Sequence, residues 1–149
     1  MILTAHGIHV TLPAGWSGRV FARQRGAATL HAGNFTLALD DAEFGTTSTA
    51  WMRPGGAFVA LTEYRPGSGL EPGAGLFASR RLPLPLDPTA FSERTLAHPL
   101  PGQLGMQHFF TTAGRPFCLY VVVAGGRSHR RRQLTAVNHL LHSLKISRR

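Results

Sequence analysis

Reactive side chains are scarce in this 149-residue chain. Its single cysteine, Cys118, excludes an internal disulfide and a cysteine-rich zinc site. The apolar run Phe117-Cys118-Leu119-Tyr120-Val121 predicts that this thiol is a small buried hydrophobe. With only seven Asp and Glu in the whole chain, pairs for general acid–base chemistry are few. Gly67-Ser68-Gly69 lacks the G-x-S-x-G spacing of a nucleophile elbow, and the glycines at 67, 69, 73 and 75 miss the G-x-G-x-x-G spacing and open no helix. No catalytic residue, cofactor or metal is therefore assigned, and a non-enzymatic protein is expected. No apolar run approaches the ~18 residues of a membrane span, so no span is expected. Met1–His6 has no basic segment leading into a long apolar stretch, and a cytoplasmic protein is the expectation.

What the chain does have is apolar content and positive charge. Hydrophobic residues make up 43% and charged residues 15%, which is too apolar for disorder, and the length suits one domain over 1–149. The formal charge is +9, and all of it lies in the second half. Residues 1–75 balance five arginines with five acids, whereas residues 76–149 carry eleven Lys or Arg against Asp87 and Glu93. Residues 127–149 hold seven cations and no acid, a field that attracts phosphate, nucleic acid, anionic lipid or an acidic protein surface. Fifteen of the sixteen cations are Arg, a bias that codon usage in a GC-rich genome also produces, so it is not read as selection for anion binding.

Hydrophobic periodicity supplies the elements. Gly7–Leu12 alternates as a half-buried strand, Pro13-Ala14-Gly15 turns, and Trp16–Ala22 reads as its hairpin partner. Residues 27–40 are strand-compatible around a turn or bulge at Gly33-Asn34. Thr46–Met52 reads as a short helix capped by Thr47 or Ser48, and Ala57–Tyr64 as a strand. From Arg65 to Pro88 nine prolines and glycines mark an excursion, in which Leu82-Pro83-Leu84-Pro85-Leu86 is expected to lie against the core. Leu104–Thr112 and Phe117–Ala124 form a hairpin about Ala113–Pro116, and the second strand, apolar throughout, is expected to be covered on both faces. A long helix follows from about Ser128 to Leu144, with Ser128 as its cap. Its stripe of Leu134, Val137, Leu140, Leu141 and Leu144 must face the core, leaving Arg131, Arg132, Thr135, His139 and His142 outside. The expected fold is α+β: a mainly antiparallel, curved sheet of five to seven strands with a long C-terminal helix packed on it.

The opening Leu12-Pro13-Ala14-Gly15-Trp16, the meander of strands, Tyr120-Val121-Val122-Val123, the amphipathic helix and the closing Leu141-His142-Ser143-Leu144-Lys145-Ile146 resemble the PsbP-like superfamily. That group includes a Ran-binding nuclear import factor, DcrB-type bacterial proteins and small chaperones of type VI secretion effectors. The resemblance implies an α+β fold and a non-catalytic role in binding other proteins; it implies no particular site residues.

The candidate site is Gly125-Gly126-Arg127-Ser128-His129-Arg130-Arg131-Arg132. A glycine turn opening a helix leaves backbone N–H groups free, and with Arg127, Ser128, Arg130, Arg131 and Arg132 it would favour an anion. A solvated polar face explains the same residues. Arg148 and Arg149 would extend a basic surface, provided Arg80, Arg81, Arg94 and Arg115 bridge the ends of the helix. His139 and His142 share a face without an accompanying acid or Cys, and His6 and His9 fall on opposite faces of a strand. Phe109 and Phe110 also point opposite ways, so one is a candidate exposed ring beside His108 and Arg115. The expectation is an adaptor or accessory protein that binds a partner protein or a second copy of itself. Its contact surface would be the concave side of the sheet or the 65–88 segment. The alternative is a basic module for nucleic acid or another polyanion.

Overall fold

The computed structural model describes residues 1–22, 27–65 and 71–149. The chain begins with strands β1 (Ile2–Ala5), β2 (Ile8–Thr11), β3 (Ser17–Ala22) and β4 (Ala28–Gly33). A five-residue helix α1 (Thr46–Ala50) and strand β5 (Ala57–Glu63) follow. Beyond single 3-10 turns at Gly75–Phe77, Pro88–Ala90 and Glu93–Thr95 come β6 (Gln103–Thr112), β7 (Arg115–Ala124), α2 (Arg127–Ser143) and β8 (Lys145–Ile146).

The fold is α+β with two antiparallel sheets. The larger has five strands in the order β3-β4-β5-β7-β6, and the smaller has three in the order β1-β2-β8. The five-stranded antiparallel sheet with the long C-terminal helix packed on it is the one expected, while the opening strands do not pair as expected and form the second sheet. β2 pairs with β1 and with β8, and among the described residues β3 pairs only with β4. Pro13–Trp16 is consequently a crossing between sheets, closed by a hydrogen bond from the Trp16 N–H to the Pro13 carbonyl at 3.1 Å. The real hairpin partner of β2 is β1, reached through His6 and Gly7, both at positive φ as a two-residue hairpin turn requires.

Side-chain alternation assigns two faces to the large sheet. Leu30, Val59, Leu61, Phe117, Leu119, Val121 and Val123 join one core cluster with Ile8 and Val10 of β2 and with Leu134, Val137, Leu140 and Leu141 of α2. The helical stripe therefore buries as its periodicity predicts, with Leu144 partly buried at its edge. Leu82 and Leu84 pack against this cluster and Leu86 is part of it, its N–H bonded to Asn138 Oδ1 of α2 at 2.9 Å. The other face carries Phe58, Ala60, Tyr120 and Val122, covered by Phe35, Leu37, Phe44, Met52 and Leu96 from the connecting segments. All residues of β4, β5 and β7 are buried, so at its centre the sheet offers no open concave side to a partner. Of the Arg65–Pro88 segment, residues 66–70 lie outside the described residues, and with them Gly67-Ser68-Gly69.

Candidate anion-binding site

The site begins where β7 gives way to α2. Gly125 sits at φ +97°, and a Cβ there would stand 2.8 Å from the His129 ring and 3.1 Å from the backbone of Pro54 and Gly55. Only glycine lets the chain pass so closely while its N–H bonds the Gly102 carbonyl at 3.0 Å. Gly126, not Ser128, is the residue before the helix; no side chain caps α2, and Ser128 already belongs to its first turn. No acid in that turn offsets the helix dipole. Gln133 secures the helix from below, its Nε2 donating to the Gly56 and Ala124 carbonyls at 2.9 and 2.8 Å.

The five residues expected to hold an anion do not converge on one point. Ser128, Arg131 and Arg132 line a groove of about 670 Å³ together with Thr135, Ala136 and His139, facing Pro13 and Ala14 across it. These positions recur every three or four residues, which is why one face of α2 presents them as a row. Arg127 is exposed and stands outside the groove. Arg130 turns back on the protein: Nη2 donates to the Gly125 carbonyl at 3.3 Å and Nη1 to Gln133 Oε1 at 3.4 Å. Burial pushes its guanidinium below the ordinary arginine value. His139 reaches the groove and His142 does not. Among the described residues no three His, Cys, Asp or Glu are placed to hold a metal ion.

The proposed bridge between the two ends of the basic half is broken. Arg80, Arg81 and Arg94 are exposed, but Arg115 is 3% exposed and sealed in an ion pair with Glu63. Phe109, the candidate exposed ring, is half-buried against Phe77 and Tyr64, at centroid distances of 5.7 and 6.2 Å. Phe110 stacks inside on Phe117.

Glu63 and Arg115 form the second polar centre, and the sequence reading passed over it. Arg115 donates from Nε to Glu63 Oε2 at 2.9 Å and from Nη2 to Oε1 at 3.1 Å. Its remaining reach goes to main-chain oxygens, Nη1 to Ser147 and Nη2 to His6. Gly7 is required beside it, since a Cβ there would fall 2.4 Å from Arg115 Nη1. Arg149 adds a second guanidinium to the same carboxylate, Nε to Oε2 at 3.1 Å, and the Ala28 N–H donates to Oε1 at 3.2 Å. Burial by itself would raise the Glu63 carboxyl, but the bonds from Arg115, Arg149 and Ala28 outweigh it and hold the group down at about 2. A cleft of about 450 Å³ opens over this pair, lined also by Ala27, Tyr64, Arg65, Ala113, Pro116 and Arg148.

No protein-family profile, curated protein or solved structure matches the chain. No helix among the described residues is long and apolar enough to cross a membrane.

Proposed function

We propose that the protein is a non-enzymatic adaptor whose groove along α2 receives an acidic segment of a partner protein. The observation that carries this reading is the lining of the groove: Arg131 and Arg132 on one turn and His139 about two turns further along the same face, with hydroxyls from Ser128 and Thr135 and no acid among the lining residues. Pro13 and Ala14 form the opposite wall, so a peptide would meet guanidinium and hydroxyl donors on one side and an apolar edge on the other. The resemblance to the PsbP-like superfamily supports the same class of function. A homo-oligomer is the variant of this reading in which a second copy supplies the segment.

The alternative, a module for nucleic acid or another polyanion, rests on the charge of the second half. It has less support, because Arg115 is buried, Arg130 folds inward and Arg149 is engaged with Glu63. The α2 helix is ~25 Å long at 1.5 Å per residue, so the cations at its two ends form separate groups.

Affinity capture from the native organism on immobilised wild-type protein, at a salt of about 0.15 M, tests the proposal. The expected result is a discrete protein partner that is retained by the wild type and lost with the Arg131→Ala/Arg132→Ala variant. Equal capture by that variant would place the contact elsewhere, and capture of nucleic acid alone would favour the polyanion reading.

A further inference from the structure

We propose that the acidic segment seated in the α2 groove is Leu39-Asp40 of a second copy of this chain, so that copies associate head to tail. The inference rests on the reading of that groove as a receptor for an acidic segment, and it names the occupant.

The presenting side is held rigid by its neighbours. Leu39 and Asp40 are exposed between two buried residues, Ala38 and Asp41. The Ala38 N–H donates to Ser48 Oγ, Arg19 Nη1 donates to the Leu39 carbonyl, and the Asp41 carboxylate accepts from the N–H groups of Ala42, Thr47 and Ser48. Bonds on both sides of Asp40 therefore fix the backbone that carries it. Leu39 is 93% exposed, more than any other large hydrophobic residue described, and its burial against a partner is correspondingly favourable. The Asp40 carboxylate beside it makes no hydrogen bond or ion pair among the described residues. A segment already ordered in this way loses little freedom on docking.

The receiving side has the complementary chemistry. Arg131 and Arg132 are exposed, and their guanidinium groups also have no partner among the described residues. Pro13 and Ala14 across the groove, with Ala136 on the helix, supply apolar surface. A carboxylate and a leucine on adjacent residues match two unengaged guanidinium groups beside an apolar wall. The match also follows the division of charge along the chain. Leu39 and Asp40 belong to the neutral half, and the groove arginines to the half that carries the +9. At about 0.15 M salt the repulsion between whole molecules is screened beyond ~8 Å, whereas an ion pair in direct contact is not.

Position decides that the two surfaces meet between molecules. α2 packs on the Leu30 and Val59 face of the large sheet. Phe35 and Leu37, which lead into Leu39, cover the opposite face, that of Phe58 and Tyr120. With the sheet between them, a molecule's own segment does not reach its own groove. A copy that inserts its segment into a neighbour keeps its groove open for a third copy, so the contact is heterologous and assembly continues past the dimer unless the rotation closes a ring.

Sedimentation velocity of the full chain, from micromolar to millimolar concentration, tests this. The wild type should grow with concentration to species larger than a dimer. Leu39→Ser/Asp40→Asn and Arg131→Ala/Arg132→Ala, each changed only at exposed residues, should raise the self-dissociation constant at least ~10-fold. Mixed in equal amounts, they should form a dimer of one copy of each and nothing larger, because the first variant keeps its groove and the second keeps its segment. Association restored by mixing also shows that both variants are folded. The inference is overturned by a wild type that stays monomeric throughout the range, by unchanged association of either variant, or by a mixture without the mixed dimer. A monomeric wild type that still captures a foreign protein through Arg131 and Arg132 would overturn this inference alone and leave the adaptor reading standing. Association and capture that are both indifferent to Arg131→Ala/Arg132→Ala would overturn the two together.

Discussion

Glu63 is a residue on which polar contacts from three distant parts of the chain meet. Its carboxylate joins β5 to β7 through Arg115, to β4 through the Ala28 N–H and to the segment after β8 through Arg149. Removing it strands a guanidinium that is 3% exposed, so Glu63→Gln should cost about 3 kcal/mol in urea unfolding at neutral pH. The pH dependence has a definite sign. A carboxyl held at about 2 in the folded chain and near 4.5 unfolded contributes stability that is complete above about 4.5 and is lost as pH falls toward 2. Stability measured across that window should therefore fall less in Glu63→Gln than in the wild type. None of this was legible in the sequence, where Glu63 is the polar end of a strand. Its partners are 35, 52 and 86 residues away, and no local pattern reports a pairing at that distance.

Elements whose burial follows from their own period were readable: β5, β6, β7 and the core stripe of α2 appear where periodicity puts them. Their ends were not, because the groups that satisfy terminal N–H donors come from outside the helix. Thr47 and Ser48 do not cap α1. Asp41 does so from six and seven positions away, accepting from the Thr47 and Ser48 N–H groups at 2.9 and 2.7 Å and from Ala42 at 2.8 Å. Burial opposes its ionisation, yet these bonds hold the Asp41 carboxyl below its ordinary value. The Ser48 hydroxyl also bonds the Asp41 carboxylate while it accepts from the Ala38 N–H at 2.9 Å. Asp41→Ala should therefore destabilise the protein by about 1–2 kcal/mol, the upper part of the range for a lost cap, as read from its thermal unfolding. β1 was missed for a different reason. Its four residues alternate only between exposed and half-buried at the edge of the small sheet, so the sequence there carries almost no hydrophobic contrast.

Across the whole molecule, the fold divides a charge that the sequence presents as one block. Seven cations between 127 and 149 read as a continuous basic tail, but the chain turns Arg130 inward, ties Arg149 to Glu63 and gives only Arg131 and Arg132 to the groove. A duplex DNA titration by anisotropy should accordingly show weak binding. Its log-log salt slope should be about −2, two groove arginines at about −0.9 each; a slope several times steeper would mean the cations act as one patch. The class of fold was legible because it follows from local period, while the division of charge was not, because it follows from which strand ends meet. The smaller sheet extends that dependence into time. β2 must pair with β8, Ile8 opposite Ile146, although Ile8 and Val10 are fully buried parts of the main core. During synthesis the first strands leave the ribosome long before their last partner exists, so their apolar sides stay uncovered until Lys145–Ile146 have emerged. Closing a sheet between such distant segments is the slow kind of contact, and the protein's most exposed moment is the interval just before β8 arrives.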